Sequence, residues 1–178
     1  MTKNILIAGF GGQGALSIGK NLVEAGLAEG LNVTWAPSYG PEMRGGTANC
    51  SVVVSDKMVG SPVFTYSNDL IAMNGPSLDK FAPNVLDGGL IFINSSVVSY
   101  TYEREGIKVY YIPSDDVANE LGNGKVSNMV MLGAYVGATG IVKPETIEKM
   151  IEEIFTGKKA KLVPLNIEAF HRGMDLVK

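Results

Sequence analysis

The chain has 178 residues, 46% of them hydrophobic, enough for one domain that buries roughly two thirds of its unfolded surface without a metal or disulfide staple. Its 15 Lys and Arg against 18 Asp and Glu give a net charge of −3 with no compensating basic cluster, which excludes the electrostatic footprint of a nucleic-acid binder. The single cysteine, Cys50, excludes an intramolecular disulfide and a four-cysteine iron–sulfur ligand set.

No apolar stretch reaches the roughly 20 residues needed to span a bilayer, and the start lacks the basic, apolar and small-residue pattern of a secretory leader. A cytoplasmic protein without membrane contact is expected. A short apolar run over residues 4–8 predicts a strand buried on both faces of a parallel sheet. It runs into Gly9-Phe10-Gly11-Gly12-Gln13-Gly14, after which Leu16, Ile18, Leu22, Val23, Ala25 and Leu27 recur at helical spacing until Gly30 stops the pattern. Residues 32–36 predict a second strand. The following Pro37-Ser38-Tyr39-Gly40-Pro41-Glu42-Met43-Arg44-Gly45-Gly46 holds too many breakers for regular structure and is expected to be a structured loop.

Residues 47–55, rich in Val and Thr, predict a third strand. Turn signals follow at Ser55-Asp56-Lys57 and Gly60-Ser61-Pro62. Runs at 70–73, 90–94 and 109–112 predict further strands, with a short helix near 77–81, for about six or seven strands in all. Beyond residue 114 the pattern turns helical, over 115–121, 128–139, 144–155 and 165–177, with Pro144-Glu145 fitting a helix start. The expected fold is α/β, a Rossmann-like, mostly parallel sheet flanked by helices with a helical C-terminal part. Without a low-complexity linker or repeat, residues 1–178 read as a single domain.

The glycine motif leaves several readings open. A dinucleotide site wants an acidic residue about 20 positions on, at the end of strand two, and that place reads Val33-Thr34-Trp35-Ala36-Pro37. A P-loop fails because the Lys-Ser/Thr pair is absent. A flavin or nucleotide phosphate on bare amides at a helix N-terminus survives, as does a packing role for the glycines. A stand-alone nucleotide- or flavin-binding α/β protein is therefore one reading of the chain, and a homo-oligomeric scaffold is another.

Gly9-Phe10-Gly11-Gly12-Gln13-Gly14 together with Pro37-Ser38-Tyr39-Gly40-Pro41-Glu42-Met43-Arg44-Gly45-Gly46-Thr47-Ala48-Asn49-Cys50 resembles the gamma subunit of 2-oxoacid:ferredoxin oxidoreductases and the gamma-type domain of pyruvate:ferredoxin oxidoreductase. The likeness continues through Ser61-Pro62, residues 69–76, Leu78-Asp79-Lys80-Phe81, residues 88–96 and 128–140, and is least distinct over about the last 20 residues. The resemblance implies a complex that converts pyruvate, 2-oxoglutarate, 2-ketoisovalerate or a similar 2-oxo acid to acyl-CoA, carbon dioxide and reduced ferredoxin. It implies alpha and beta subunits that hold thiamine diphosphate, a ferredoxin-like delta subunit with iron–sulfur clusters, and coenzyme A as acyl acceptor. No cofactor, catalytic residue or metal is expected in this chain alone, and the isolated chain is expected to be inactive.

Two groups of residues are assigned on this footing. Gly9, Gly11, Gly12, Gln13 and Gly14 form a place where a phosphate or coenzyme A approaches bare backbone. Tyr39, Glu42, Met43 and Arg44 are assigned to a partner interface: Tyr39 as an aromatic anchor, and Arg44, flanked by glycines, as a bidentate donor to carboxylate or phosphate. Cys50 reads as a small buried hydrophobe, and His171, the sole histidine, as a surface or packing residue. Asp115 and Asp116 read as first-turn acids of a helix. Residues 129–138, apolar nearly all round, read as a core helix buried on more than one side, with homo-oligomer contacts as a further use of the same surface.

Overall fold

Strand β1 (Thr2–Phe10) and helix α1 (Ala15–Ala28) open the fold, and they are followed by β2 (Asn32–Tyr39), β3 (Thr47–Ser55) and β4 (Ser67–Ala72). Helix α2 (Gly75–Phe81), β5 (Val85–Asn94) and β6 (Lys108–Ile112) complete the strand-rich part, and α3 (Ser114–Glu120), α4 (Ser127–Thr139), α5 (Pro144–Ile154) and α6 (Val163–Asp175) the helical part. The computed structural model describes residues 1–39 and 47–178.

The described strands form one six-stranded sheet in the order β2-β3-β1-β4-β5-β6. β1, β4, β5 and β6 are mutually parallel neighbours, whereas β3 is antiparallel to both β1 and β2. The α/β expectation holds, with one refinement: β3 runs against the others, so the sheet is mixed. β1 and β2 still point the same way, which brings their C-terminal ends to one edge of the sheet.

Side-chain alternation divides the core. Ile5, Ile7, Cys50, Val52, Val54, Ile71, Met73, Phe92 and Ile112 face α1, α4, α5 and α6, while Leu70, Ala72, Ile91 and Ile93 face α2 through Leu78. This period of two, with apolar residues on both faces, is why the strands read as continuous hydrophobic runs.

Some bounds differ from the sequence reading. β2 continues through Pro37, Ser38 and Tyr39, which the breakers had assigned to the loop. It can do so because β2 is the sheet edge, where a proline without an N–H is tolerated. β5 begins five residues earlier than the run at 90–94, crossing Gly88 at φ 85°. The turn-like Gly88-Gly89 pair hid that half of the strand. Gly89 allows close strand approach, since a Cβ there would meet the Asn68 carbonyl.

α4 is sandwiched as its composition predicted. Nine of its residues are buried, with the sheet on one side and α6 on another. The crossing with α6 brings backbones together, for a Cβ on Gly133 would collide with the Phe170 carbonyl and one on Gly173 with the Val130 carbonyl.

Candidate functional site

The glycine motif lies at the end of β1 and turns into α1. Gly12 and Gly14 take φ of 93° and 82°, the left-handed region that residues with a Cβ rarely adopt. Gly14 is the N-cap of α1 and supplies no side-chain hydrogen bond, so the first amides of the helix are left without a capping acceptor. Gly14 also packs against α4, where an added Cβ would stand 2.7 Å from the Asn128 Cβ. Further along α1, Gly19 and Gly26 add close helix–sheet packing, where a Cβ would strike the Cys50 Sγ and stand 2.8 Å from Val33 Cγ1, respectively.

Gln13 is directed inward. Its Oε1 accepts from the Phe10 amide at 2.7 Å and from Asn74 Nδ2 at 2.8 Å, and its Nε2 donates to the Met73 carbonyl at 3.1 Å. Asn94, fully buried at the end of β5, donates to the same carbonyl at 3.4 Å. Asn74 in turn caps α2, its Oδ1 accepting from the Ser77 amide at 2.9 Å. These amides knit the ends of β1, β4 and β5 together. The seam between β1 and β4, where a doubly wound sheet usually admits its ligand, is thus spanned by the Gln13 side chain. Gly9 tightens it further: a Cβ there would lie 2.9 Å from the Met73 Cβ.

A cleft of about 310 Å³ opens beside the turn, on the β3 side. It is lined by Phe10, Gly11, Gly12 and Gly14, by Ala15, Leu16 and Ser17 at the start of α1, and by Tyr39, Thr47 and Ala48. The register explains the meeting, because Phe10 pairs with Thr47 and both Gly9 and Tyr39 pair with Ala48. Tyr39 is 51% exposed. The structure therefore brings Gly11, Gly12, Gly14 and Tyr39 to one place and turns Gln13 away from it. Glu42, Met43 and Arg44 lie outside the described residues. A second, polar cleft of about 520 Å³ flanks the other side of the turn, with Ser17, Asp115, Lys125 and Asn128 among its lining.

Other candidates take structural roles. Cys50 is fully buried, and burial pushes its thiol up to about 12, so it stays protonated and inert. His171 is exposed and pairs with Glu148 Oε1 at 2.6 Å. Asp115 and Asp116 sit in the first turn of α3, and Asp115 accepts from the Ser127 hydroxyl. Among the described residues no group of three or more His, Cys, Asp or Glu side chains is placed to hold a metal, and no helix is long and apolar enough to cross a membrane.

Sequence reasoning missed Asn74, Asn94 and Asp69. The first two carry a legible signal, a polar residue placed directly after a buried apolar run; Asn74 also precedes Gly75-Pro76, a helix-start pattern. Asp69 is a fully buried acid in β4, and nothing in its flanking residues marks it.

The model of the pyruvate ferredoxin/flavodoxin oxidoreductase family matches residues 4–176. The chain belongs to this family. Ketoisovalerate oxidoreductase subunit VorA of Methanothermobacter marburgensis is 39% identical over 173 residues, covering 96% of this chain and 36% of its own length. The gamma subunit of keto/oxoacid ferredoxin oxidoreductase from Geobacter sulfurreducens superposes with a TM-score of 0.83 at 28% identity, covering 98% of both chains. A 2-oxoglutarate:ferredoxin oxidoreductase from Magnetococcus marinus, with 2-oxoglutarate, coenzyme A and succinyl-CoA bound, superposes at 0.90 and 26% identity over 99% of this chain and 31% of its own. The chain thus spans about a third of the length of the first curated relatives it matches and the whole of the Geobacter gamma subunit. Within the oxidoreductase family, then, this fold occurs both as a separate chain and as part of a longer one.

Proposed function

We propose that this chain is the gamma subunit of a 2-oxoacid:ferredoxin oxidoreductase that oxidatively decarboxylates a 2-oxo acid to acyl-CoA, carbon dioxide and reduced ferredoxin. The observation that carries the reading is the family match over residues 4–176 in a chain of the same extent as the Geobacter gamma subunit. In the reaction the bond from keto carbon to carboxylate breaks and carbon dioxide leaves. The two electrons left on the keto carbon go to ferredoxin, and the acyl group moves to the sulfur of coenzyme A as its thiol proton is lost.

The residues of this chain do not fit the clusters, because its one cysteine is buried and protonated and a cluster needs several thiolates. The clusters belong on this reading to a ferredoxin-like delta subunit, and thiamine diphosphate to the alpha and beta subunits. This chain assembles with them and supports them in the cytoplasm. Its cleft beside Gly11, Gly12 and Gly14 fits a partner surface or an anionic group of coenzyme A, since uncapped α1 amides meet an aromatic wall at Tyr39. Coenzyme A, when bound, supplies the acceptor thiol. The part of this chain is to wall the site and orient the carrier, with Tyr39, Glu42, Met43 and Arg44 contacting the catalytic subunits.

Anaerobic affinity purification of the tagged chain from its native host tests the reading. Thiamine-binding and cysteine-rich subunits are expected to copurify, with coenzyme A-dependent reduction of ferredoxin by pyruvate, 2-oxoglutarate or 2-ketoisovalerate. A closed homo-oligomer without other subunits, or a flavin or nucleotide retained by the chain alone, would overturn it.

A further inference from the structure

Residues 11–14 read Gly-Gly-Gln-Gly, so Gln13 carries the one side chain in the turn. Bare backbone of this kind has the widest choice of conformations to lose, and within the turn only Gln13 can hold it in one of them. It does so at both ends. Its backbone amide donates to the Phe10 carbonyl at 3.1 Å, while the Phe10 amide donates to its Oε1 at 2.7 Å. This reciprocal pair closes a ring around Gly11 and Gly12. The same side chain is fastened to the sheet some 60 residues further along the chain, Nε2 donating to the Met73 carbonyl and Oε1 accepting from Asn74 Nδ2. Two donors thus converge on Oε1 and a carbonyl faces Nε2, a pattern that a neutral amide satisfies and an ionised carboxylate does not. Gly9 makes room for the group, since a Cβ there would lie 3.0 Å from Gln13 Oε1. Asn74 is itself fixed: it is 3% exposed and caps α2 through the Ser77 amide. It lines neither cleft beside the turn, whereas Gln13 borders the polar one.

We infer that Gln13, braced by Asn74 and the Met73 carbonyl, is the positioning residue that holds the glycine turn in the shape that receives an anionic group of coenzyme A. The inference rests on the gamma-subunit reading and deepens it. Its physical basis is preorganisation. A turn already ordered from within the sheet spares an arriving ligand the cost of ordering it, and a four-residue stretch with three glycines is where that cost is largest. Because its amide is engaged by Phe10, Met73 and Asn74, Gln13 acts on the carrier through the backbone of the turn and takes no step of its own in the reaction. Asn74 acts one stage further back, through Gln13.

The test uses the complex that copurifies with the tagged chain and compares wild type with Gln13→Met, Asn74→Ser and the double variant. Methionine keeps the length of the side chain without its amide; serine still caps α2 but is too short to reach Gln13. Coenzyme A binding to the resting complex is measured by calorimetry, together with hydrogen exchange over residues 10–14 and steady-state reduction of ferredoxin. Gln13→Met is expected to weaken coenzyme A binding about tenfold, to speed exchange over the turn, and to keep kcat at saturating coenzyme A within about twofold of wild type. Asn74→Ser should weaken binding about threefold, and the double variant should lose no more than Gln13→Met alone. Unchanged coenzyme A affinity in Gln13→Met with faster exchange would overturn the inference and leave the gamma-subunit reading standing. So would losses that add in the double variant, or weaker binding with exchange unchanged, which would make Gln13 a direct contact of the carrier. Should Gln13→Met fail to assemble, unchanged affinity in Asn74→Ser would overturn the inference by itself. A wild-type chain that captures no oxidoreductase subunit would overturn both.

Discussion

Tyr135, at the centre of α4, donates its phenol proton to Asp69 Oδ2 at 2.8 Å, and both residues are fully buried. The other carboxylate oxygen accepts from the Leu90 amide at 3.2 Å, and Lys3 Nζ stands 3.4 Å from Oδ2. The bond fastens α4 to the middle of the sheet. Tyr135→Phe removes one donor from a buried carboxylate and is expected to cost about 1–3 kcal/mol. Thermal unfolding should show a drop of roughly 2–4 °C per kcal/mol for a chain of this size. Adding Asp69→Asn should recover part of the loss, because a neutral amide is less costly to leave underbonded than a charge.

Alkaline stability follows from the same phenol and from Cys50. Burial, then the Asp69 charge and its hydrogen bond, hold the Tyr135 phenol well above its ordinary 10.0. Burial raises the Cys50 thiol from 9.0 to about 12. Both groups have raised values in the folded state, so their stabilising contribution is complete below the unfolded values and is lost as pH rises through the folded ones. Stability should therefore decline from about pH 9 upward. Urea midpoints measured between neutrality and pH 11 should fall less steeply in Tyr135→Phe than in wild type. A steeper fall would contradict the assignment.

Cys50 should also be chemically silent in the native protein. Thiol reagents near pH 8 are expected to label it only at the rate of global opening, and at once in denaturant. Rapid native labelling would mean that the α1–β3 interface opens locally.

The α4–α6 crossing leaves no room for a methyl group at Gly133 or Gly173. Gly133→Ala should destabilise by at least about 1–3 kcal/mol despite the better helix propensity of alanine. Gly140→Ala serves as contrast: no atom crowds its Cβ, but its φ of 62° at the end of α4 is strained for alanine, so it should cost only about 1 kcal/mol. Denaturant titration of the variants checks the order.

Gly11→Val and Arg44→Ala address the proposed docking site. Gly11→Val should damage the turn or the surface it presents at the cleft and so weaken assembly, and Arg44→Ala should weaken assembly or raise the coenzyme A concentration needed for half-maximal rate. Normal assembly and kinetics in both variants would remove these two residues from the site.

Much of the architecture was readable because strands buried on both faces and an amphipathic α1 leave strong periodic signals. The direction of β3 was not, since nothing local in residues 47–55 distinguishes a strand that pairs parallel from one that pairs antiparallel. Pro37 argued for a loop because its edge position was unknown until the sheet order was. The site divided in a similar way. Gly12 and Gly14 declare a turn by residue type alone, whereas the inward path of Gln13 depends on Met73 and Asn74, some 60 residues away. Tyr39 meets the glycine turn only through the pairing of two strands with β3.

The Gln13 amide has a consequence for how this protein handles chemistry. By tying β1, β4 and β5 together it closes the mouth of the sheet and leaves the open space beside the glycine turn, on the lip next to Tyr39 and in the polar cleft next to Asn128. On the proposed reading, that lip is where a second polypeptide closes over the carrier.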